Sequence, residues 1–325
     1  MLSDEYIKYV ETVRRYSENT VRIYTDVLRE FLDYSCGTAA DDASILSALT
    51  VASVRNYEIH LLDQKSESPR TVNLHLSVLS GFCRYLIKSG KLESNPVRLV
   101  SRPKMKKRRP EFFREESMDA YFKETESVVL PENLELIQGK DPLSASIYKA
   151  RLNRMIVSLL YQTGIRRSEL IALNISSVDF SRRILRVFGK GEKTREIPLG
   201  PVLCDEISLY LQSTAAVIGQ DRAGTEPLLV TPSGKRLYPG FVEKAVKSEL
   251  GGVPGVTGKR SPHVLRHTLA TELLDKGADL NSIKELLGHS SLAATQVYTH
   301  NSIEKLKSVY INAHPRAKIG GKNGD

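Results

Sequence analysis

Cysteine and long apolar runs are both scarce in this sequence. The only cysteines, Cys36, Cys83 and Cys204, lie far apart and lack the paired spacing of zinc ligands, so free thiols in a reducing compartment are expected. No apolar run approaches the length that spans a bilayer. The N-terminus carries acidic residues early and has no apolar signal segment. These absences predict a cytoplasmic protein rather than a secreted or membrane-spanning one.

The length and charge of the chain indicate how many domains it has and what kind of partner it binds. A chain of 325 residues suggests two domains of ordinary size, and its 41% hydrophobic residues are enough to form real cores. The net charge of +9 and the pI of about 9.3 favour a polyanionic partner. Many basic proteins bind no nucleic acid, so the charge is only a hint.

Residues 1–101 have the apolar periodicity of helices. Val21, Leu28 and Leu32 share one helical face, for example. Ser17 and Asn19 are both candidate N-caps of the second helix, and Thr50 and Ser68 are candidate N-caps of the third and fourth. Gly90 is a candidate helix end, and a loop is expected over residues 37–44. The third helix is expected to run to residue 62. The pattern predicts a bundle of four helices.

A basic segment, residues 102–110, follows this block. It reads RPKMKKRRP, with six basic residues in its first eight positions and no acidic one. A solvated, flexible hinge is one interpretation. A hinge that lets the chain close around DNA is the other, and the sequence favours the two about equally.

Residues 111–325 mix helices with short strands, so the fold class is mainly α with a small antiparallel sheet. Strands are predicted at 178–180, 184–188 and 194–198. Helices are predicted at 150–162, 202–212, 241–250, 263–276 and 279–287, with a short one around Tyr298 and a last one from Ser302.

Six polar residues of this second block stand where function would explain them well: Arg166, Lys190, His263, Arg266, His289 and Tyr298. Arg166 is expected at a helix N-terminus, which favours anions. Lys190 is expected at the tip of a hairpin turn. Each residue alone has an ordinary explanation as a surface charge, a cap or a packed aromatic. Their joint occurrence is what favours a site.

Two patterns resemble other kinds of site. His263 and His267 have the spacing of a zinc pair, but no glutamate lies between them and Arg266 would repel a cation. The segment 189–191, Gly-Lys-Gly, lacks the spacing of a nucleotide-binding P-loop. The sequence therefore predicts no metal site and no nucleotide cofactor.

Four segments together resemble the boxes of the tyrosine recombinase, or phage integrase, family. They are TGIRRSEL (163–170), HVLRHT (263–268), LLGHSS (286–291) and TQVYTH (295–300), in the family's order. The resemblance is closest to the Xer branch and the related integrases of mobile elements. It covers nearly the whole chain, because Asn19-Thr20-Val21 and Arg70-Thr71-Val72-Asn73 are similar to the family's helical, SAM-like core-binding domain. Arg167 and a longer stretch at 113–148 depart from the family's pattern.

The resemblance implies a catalytic domain over residues 111–325 and a role for each polar residue. Tyr298 is the nucleophile that forms a 3′-phosphotyrosine, and Arg166 and Arg266 clamp the phosphate. No metal or ATP is implied, because the covalent bond conserves the energy of the phosphodiester. Glu169 either orients the site or forms a surface pair with Arg166.

Three further roles follow from the same resemblance. Lys190 is the acid that protonates the 5′-oxygen, His263 is a candidate acid or base for the tyrosine proton, and His289 hydrogen-bonds the phosphate.

The expected partner is a specific double-stranded DNA site. Its candidate contacts are Arg70, Thr71, Asn73, Lys104, Lys106, Lys107, Arg108 and Arg109. Asn301 and Glu304 form a capping-box pattern that opens a C-terminal helix, whose apolar face is Ile303, Leu306, Val309 and Tyr310. The resemblance implies that this helix docks on a neighbouring subunit in a homo- or hetero-tetramer on two DNA sites. Packing on its own domain is the alternative, and an accessory protein is left open.

The expected function is site-specific recombination through a Holliday junction, for dimer resolution or for integration of a mobile element. Two alternatives remain. A catalytically inactive relative would bind DNA without cutting it, and a type IB topoisomerase would relax DNA without a specific site.

Overall fold

The computed structural model describes residues 1–37, 41–105, 111–130, 141–189, 194–218 and 222–288. The chain divides into two units, Met1–Arg108 and Arg109–Asp325, and each unit has a hydrophobic core of its own. Within the ranges described, no helix is both long enough and apolar enough to cross a lipid bilayer.

Helices form the described part of the first unit. They are α1 (Leu2–Thr12), α2 (Glu18–Cys36), α3 (Asp42–Ala48), α4 (Val51–Ile59) and α5 (Pro69–Lys88). A π-helical turn, His60–Gln64, follows α4 directly, and a 3-10 turn, Pro96–Leu99, follows α5. The helical fold predicted for this part of the chain is confirmed, but its described residues form five α-helices and not the predicted four.

Serine and threonine caps set where three of these helices begin. Ser17, Thr50 and Ser68 each have an extended backbone and accept a hydrogen bond from the backbone N–H three residues later. The side-chain oxygen thereby satisfies a donor that the first helical turn leaves unpaired. The structure confirms the predicted caps at Thr50 and Ser68, and of the two candidates Ser17 and Asn19 it uses Ser17.

The prediction of a loop over residues 37–44 is wrong at its C-terminal end, where α3 begins. Asp41 caps α3 by accepting a hydrogen bond from the backbone N–H of Ser44 at 2.8 Å. Asp42 Oδ1 accepts another from Leu2 N at 2.9 Å, and Ile45 is fully buried. A helix of seven residues is too short to show a periodic pattern and depends on such tertiary contacts.

The second unit contains seven helices and three strands in its described part. They are α6 (Glu115–Glu124), α7 (Pro142–Thr163), α8 (Arg167–Ala172), β1 (Val178–Asp179), β2 (Ile184–Phe188), β3 (Thr194–Pro198), α9 (Pro201–Ile218), α10 (Pro239–Glu249), α11 (Pro262–Asp275) and α12 (Leu280–Leu287). The predicted fold class, mainly α with a small antiparallel sheet, is confirmed.

The sheet has the order β1-β2-β3, and both pairings are antiparallel. Leu185 lies opposite Ile197, and Val187 lies opposite Arg195. All four side chains are buried, whereas Arg186 is 42% exposed on the other face. Because side chains alternate along a strand, Arg195 points toward the core together with its apolar neighbours.

Helix α7 forms the centre of the second unit, and it begins earlier than predicted. It packs against α9, α10 and α11. The sequence predicted a start at residue 150, but Asp141 caps the helix by accepting hydrogen bonds from Leu143 N at 2.9 Å and Ser144 N at 3.0 Å. Pro142 follows at the first helical position, which proline favours.

A buried ion pair joins α7 to α9. Arg154 Nη2 lies 2.9 Å from Glu206 Oε1, and the two side chains are only 2% and 3% exposed. The same guanidinium donates to Phe122 O at 3.1 Å and lies over the Phe122 ring. Removing one partner of such a pair leaves a buried charge without compensation.

Candidate active site

The candidate site begins where α7 ends. Gly164 caps α7 with a left-handed backbone, at φ 62°, and donates its N–H to Leu160 O at 3.0 Å. A Cβ at Gly164 would lie 2.6 Å from Leu287 Cδ2 and 2.8 Å from Leu269 Cδ2. Only glycine suits both this backbone and this space. The turn therefore packs closely against α11 and α12, and Arg166 follows it.

Arg166 is the N-cap residue of α8, at the helix N-terminus where the sequence placed it. Its Nη1 donates to Glu169 Oε1 at 2.7 Å, and its Nη2 donates to Gly288 O at 2.6 Å. The side chain is 36% exposed. The guanidinium is thus held in place by two hydrogen bonds and is still accessible to solvent.

Arg266 lies on α11 and is 8% exposed. Its Nη1 donates to Gly164 O and its Nη2 to Leu287 O, both at 2.5 Å. These two carbonyl groups end α7 and α12, where helices leave carbonyls without partners. Arg266 therefore joins two helix ends, and the two carbonyl groups hold its guanidinium in one orientation. The two contacts use two of its five N–H donors.

Glu169 lies between Arg166 and a third arginine, Arg195 of β3. Arg195 Nη1 donates to Glu169 Oε1 at 3.0 Å, and Arg195 Nη2 donates to Oε2 at 2.8 Å. Glu169 Oε2 also accepts the backbone N–H of Arg166 at 2.7 Å. Both Glu169 and Arg195 are 5% exposed. Burial rules out the surface pair that the sequence left as one interpretation of Glu169.

The cluster carries more positive than negative charge. The cluster consists of three guanidinium groups, of Arg166, Arg195 and Arg266, and the Glu169 carboxylate, so its formal net charge is +2. Burial, followed by the positive charges of Arg166 and Arg195, lowers the pKa of Arg266 to about 10. A pKa of about 10 still leaves Arg266 protonated at neutral pH.

The pKa of Glu169 moves in the opposite sense to what burial alone would cause. Burial raises it, but hydrogen bonds from Arg195 and from the backbone N–H of Arg166 outweigh that effect and lower the pKa to about 2. Glu169 is therefore ionised at any working pH. The site suits the binding of a phosphate, because the Arg166 guanidinium is accessible, the Arg266 guanidinium is held in place and the net charge is positive.

His263 is the second residue of α11 and is exposed, whereas Arg266 one turn later is buried. The His267 ring packs edge-on against Phe112, with 6.4 Å between ring centroids. Among the described residues, no three His, Cys, Asp or Glu side chains form a group that could hold a metal ion.

Several predicted residues lie outside the part of the chain that the structure describes. They are Lys190, His289 and Tyr298 of the site, Lys106, Lys107, Arg108 and Arg109 of the basic segment, and the C-terminal segment from Asn301 to Tyr310. Lys190 falls between β2 and β3 in the sequence, and His289 directly follows Gly288.

The predicted DNA-contact residues on α5 and at the start of the basic segment differ in exposure and in their hydrogen bonds. Arg70 and Lys104 are exposed. The Thr71 hydroxyl is 3.0 Å from the Ser68 cap. Asn73 Nδ2 donates to Pro103 O at 3.0 Å, and Arg102 Nη1 donates to Ser77 Oγ at 3.0 Å. Asn73 therefore fastens the start of the basic segment to α5.

Arg195 and Gly288 were missed by the sequence analysis as parts of the site. Strand alternation was the available signal for Arg195, because it shares a face with Ile197 and an arginine on a core face needs a buried partner. Gly288 was recognised only as a helix end, and its contact with Arg166 depends on tertiary packing.

We expect Glu169→Gln to lower the free energy of unfolding by about 3 kcal/mol at neutral pH, because a pKa of about 2 against the ordinary value of 4.5 corresponds to that difference. The contribution is present above pH 4.5 and is lost as the pH falls toward 2. Urea unfolding of both proteins should therefore show a gap that narrows below about pH 4.5.

The matched control for this measurement is Glu243→Gln. Glu243 pairs with Arg167 at 2.8 Å, but both side chains are 39% exposed, so little change is expected. A gap between wild type and Glu169→Gln that stays constant from neutral to acidic pH would show that the Glu169 carboxylate does not stabilise the fold through its charge.

Comparison with known families covers most of the chain. Residues 133–305 match the group described as "Phage integrase family", and residues 3–90 match "Phage integrase, N-terminal SAM-like domain". The chain belongs to the phage integrase family. The Tyrosine recombinase XerC of Chlorobaculum parvum is 35% identical over 322 residues, which is 97% of this chain and 94% of that protein. The resemblance to the Xer branch is thus confirmed.

Solved structures of integrases share the fold. The XerH site-specific recombinase bound to its difH substrate superposes with a TM-score of 0.63, at 18% identity, over 95% of this chain and 84% of that one. The Tn1549 transposon integrase in complex with circular intermediate DNA gives a TM-score of 0.59, at 18% identity, over 94% of this chain and 98% of that one. This similarity confirms the predicted fold of the phage integrase family.

Proposed function

We propose that this site-specific tyrosine recombinase cuts and rejoins DNA through a covalent bond between Tyr298 and the 3′ phosphate of the cut strand. The observation that supports the proposal most is the arginine cluster. Arg166 and Arg266 are held by the carbonyl groups of Gly288, Gly164 and Leu287, and the cluster has a net charge of +2. Such an arrangement stabilises the charge that develops on a phosphate during transfer.

The first step is a transesterification at one phosphodiester. Tyr298 Oη forms a bond to phosphorus, and the bond from phosphorus to the 5′-oxygen breaks. His263 takes the tyrosine proton, and Lys190 gives a proton to the leaving 5′-oxygen. Arg166 and Arg266 bind the non-bridging oxygens, and His289 adds a hydrogen bond.

The second step reverses the first with a new partner. The 5′-hydroxyl of another strand attacks the phosphotyrosine, and Tyr298 leaves. One phosphodiester is exchanged for another through a covalent intermediate. Because one phosphodiester replaces another, the reaction needs no ATP. Exchange of one strand pair gives a Holliday junction, and exchange of the second pair resolves it.

DNA is held by both units and by the segment between them. Arg70 and Lys104 are exposed and suited to phosphate contacts. Lys106, Lys107, Arg108 and Arg109 supply further charge, so affinity should fall steeply with salt. We propose that the enzyme acts on DNA in the cytoplasm as a tetramer on two sites, joined through the C-terminal helix.

The biological role that we propose is the resolution of chromosome or plasmid dimers. Its support is the full-length similarity to a XerC recombinase, at 35% identity. The same chemistry between two separate molecules is integration, which is the alternative role.

A plasmid assay tests the proposed function. The plasmid is supercoiled and carries two direct repeats of a site that the protein selects by binding from a random-sequence library. We expect two smaller circles from this plasmid and no change in a plasmid without the site. Relaxation of both plasmids would indicate a type IB topoisomerase, and binding without strand breakage would indicate an inactive relative.

A further inference from the structure

We infer that Arg195 is a positioning residue of the recombination site. It holds Glu169 and the end of α12 so that the Arg166 guanidinium stays in place and retains its positive charge for the phosphate. The inference rests on the proposed function, because it assigns Arg195 a role in the cleavage step. Arg195 is not among the residues that the family boxes pick out in this sequence.

The contacts of Arg195 involve every nitrogen of its guanidinium. Nη1 and Nη2 donate to the two oxygens of Glu169 at 3.0 Å and 2.8 Å, and Nε donates to Leu286 O at 3.0 Å. The side chain is 5% exposed. A planar fork that matches a carboxylate fixes the distance and the orientation of both groups. A lysine has a single nitrogen, so it cannot bond both carboxylate oxygens through a parallel fork and Leu286 O through a third nitrogen.

Arg195 also changes what Glu169 does to Arg166. Glu169 Oε1 accepts from Arg166 Nη1 at 2.7 Å and from Arg195 Nη1 at 3.0 Å. Without Arg195, the Glu169 carboxylate would offset one of the two remaining guanidinium charges, and the net charge of the cluster would fall from +2 to +1. With Arg195 present, the carboxylate is shared, and Arg166 and Arg266 keep their net positive charge. The carboxylate can therefore orient the Arg166 guanidinium without cancelling the positive charge of the cluster.

The end of α12 packs closely against the Arg195 guanidinium. Gly288 has a left-handed backbone, at φ 66°, and a Cβ there would lie 3.1 Å from Arg195 Nη1 and 3.2 Å from Cζ. The Gly288 carbonyl accepts from Arg166 Nη2 at 2.6 Å. Arg195 thus bonds Leu286 O and lies close to Gly288, the residue before His289. One side chain of β3 joins Glu169, in the segment TGIRRSEL, to Leu286 at the end of α12.

The test is Arg195→Lys, measured on a nicked duplex that bears the selected site and traps the covalent complex. We expect single-turnover cleavage at saturating DNA to slow on the order of 100-fold, because a small displacement of a clamp is costly in rate. The dissociation constant for the intact duplex should change less than about threefold, since Arg195 is buried and all its guanidinium nitrogens bond within the protein.

Arg154→Lys is the matched control. Arg154 is another buried arginine of the second unit, paired with Glu206 at 2.9 Å, and it contacts no residue of the arginine cluster in the described structure. Both variants are expected to lower the melting temperature. If Arg195 acts only as a structural residue, both should reduce cleavage equally, which would overturn the inference. If cleavage falls in Arg195→Lys alone, the inference is supported.

A double-mutant cycle tests whether Arg195 acts through Glu169. Cleavage rates of Glu169→Gln, Arg195→Lys and the double variant should be strongly non-additive, because the two side chains form one unit. Additive losses would contradict the inference. Wild type and Tyr298→Phe run beside them: absence of a covalent complex in wild type would overturn the proposed function, whereas a normal rate in Arg195→Lys would overturn only the role of Arg195.

Discussion

Replacing Arg266 with alanine is expected to slow strand cleavage on the order of 1,000-fold, a rise in the barrier of about 4 kcal/mol. The substitution removes a permanent positive charge from the cluster. It also leaves Gly164 O and Leu287 O without the donor that now bonds each of them at 2.5 Å. Single-turnover cleavage of the nicked duplex, at saturating DNA, measures the effect. Binding of the duplex should change far less than cleavage.

Arg266→Lys separates the charge from the geometry. Lysine keeps a positive charge but has no planar fork with which to bond two carbonyl groups and a phosphate. We therefore expect cleavage by this variant to lie closer to that of Arg266→Ala than to wild type. The melting temperature of each variant shows how much of the loss comes from instability. Cleavage at the wild-type rate in a folded Arg266→Ala protein would contradict the role of Arg266 as a clamp.

Local chemistry made much of the fold predictable. The caps at Ser17, Thr50 and Ser68 depend on hydrogen bonds within three residues, so the sequence contains all the information they need. Strands β2 and β3 begin and end where they were predicted, because apolar residues bounded by turn residues mark them. The end of α12 at Gly288 follows from a left-handed C-cap.

Tertiary contacts decided the elements that were missed. Helix α3 is only seven residues long and is supported by the bond from Leu2 N to Asp42. Helix α6 was not predicted, yet it buries Met118, Tyr121 and Phe122. The start of α7 was placed eight residues too late, although Asp141 followed by Pro142 is a helix-start signal.

The candidate site was predictable as a set of residues but not as a network. The boxes identified Arg166 and Arg266, and the structure places both beside the ends of α7 and α12. Glu169 had two interpretations, and only its burial distinguishes them. The partners of Arg195 could not be predicted from the sequence, because they lie 26 and 91 positions away.

The covalent intermediate is the central claim, and trapping it is the most direct test. The nicked duplex releases a short fragment after cleavage, so the 5′-hydroxyl is lost and the attached protein cannot religate. Labelling the strand on the 3′-phosphate side identifies which end is bound. We expect a covalent protein–DNA band in wild type, attached to the 3′ phosphate, and no band in Tyr298→Phe although binding is retained. A covalent band that persists in Tyr298→Phe would contradict the account.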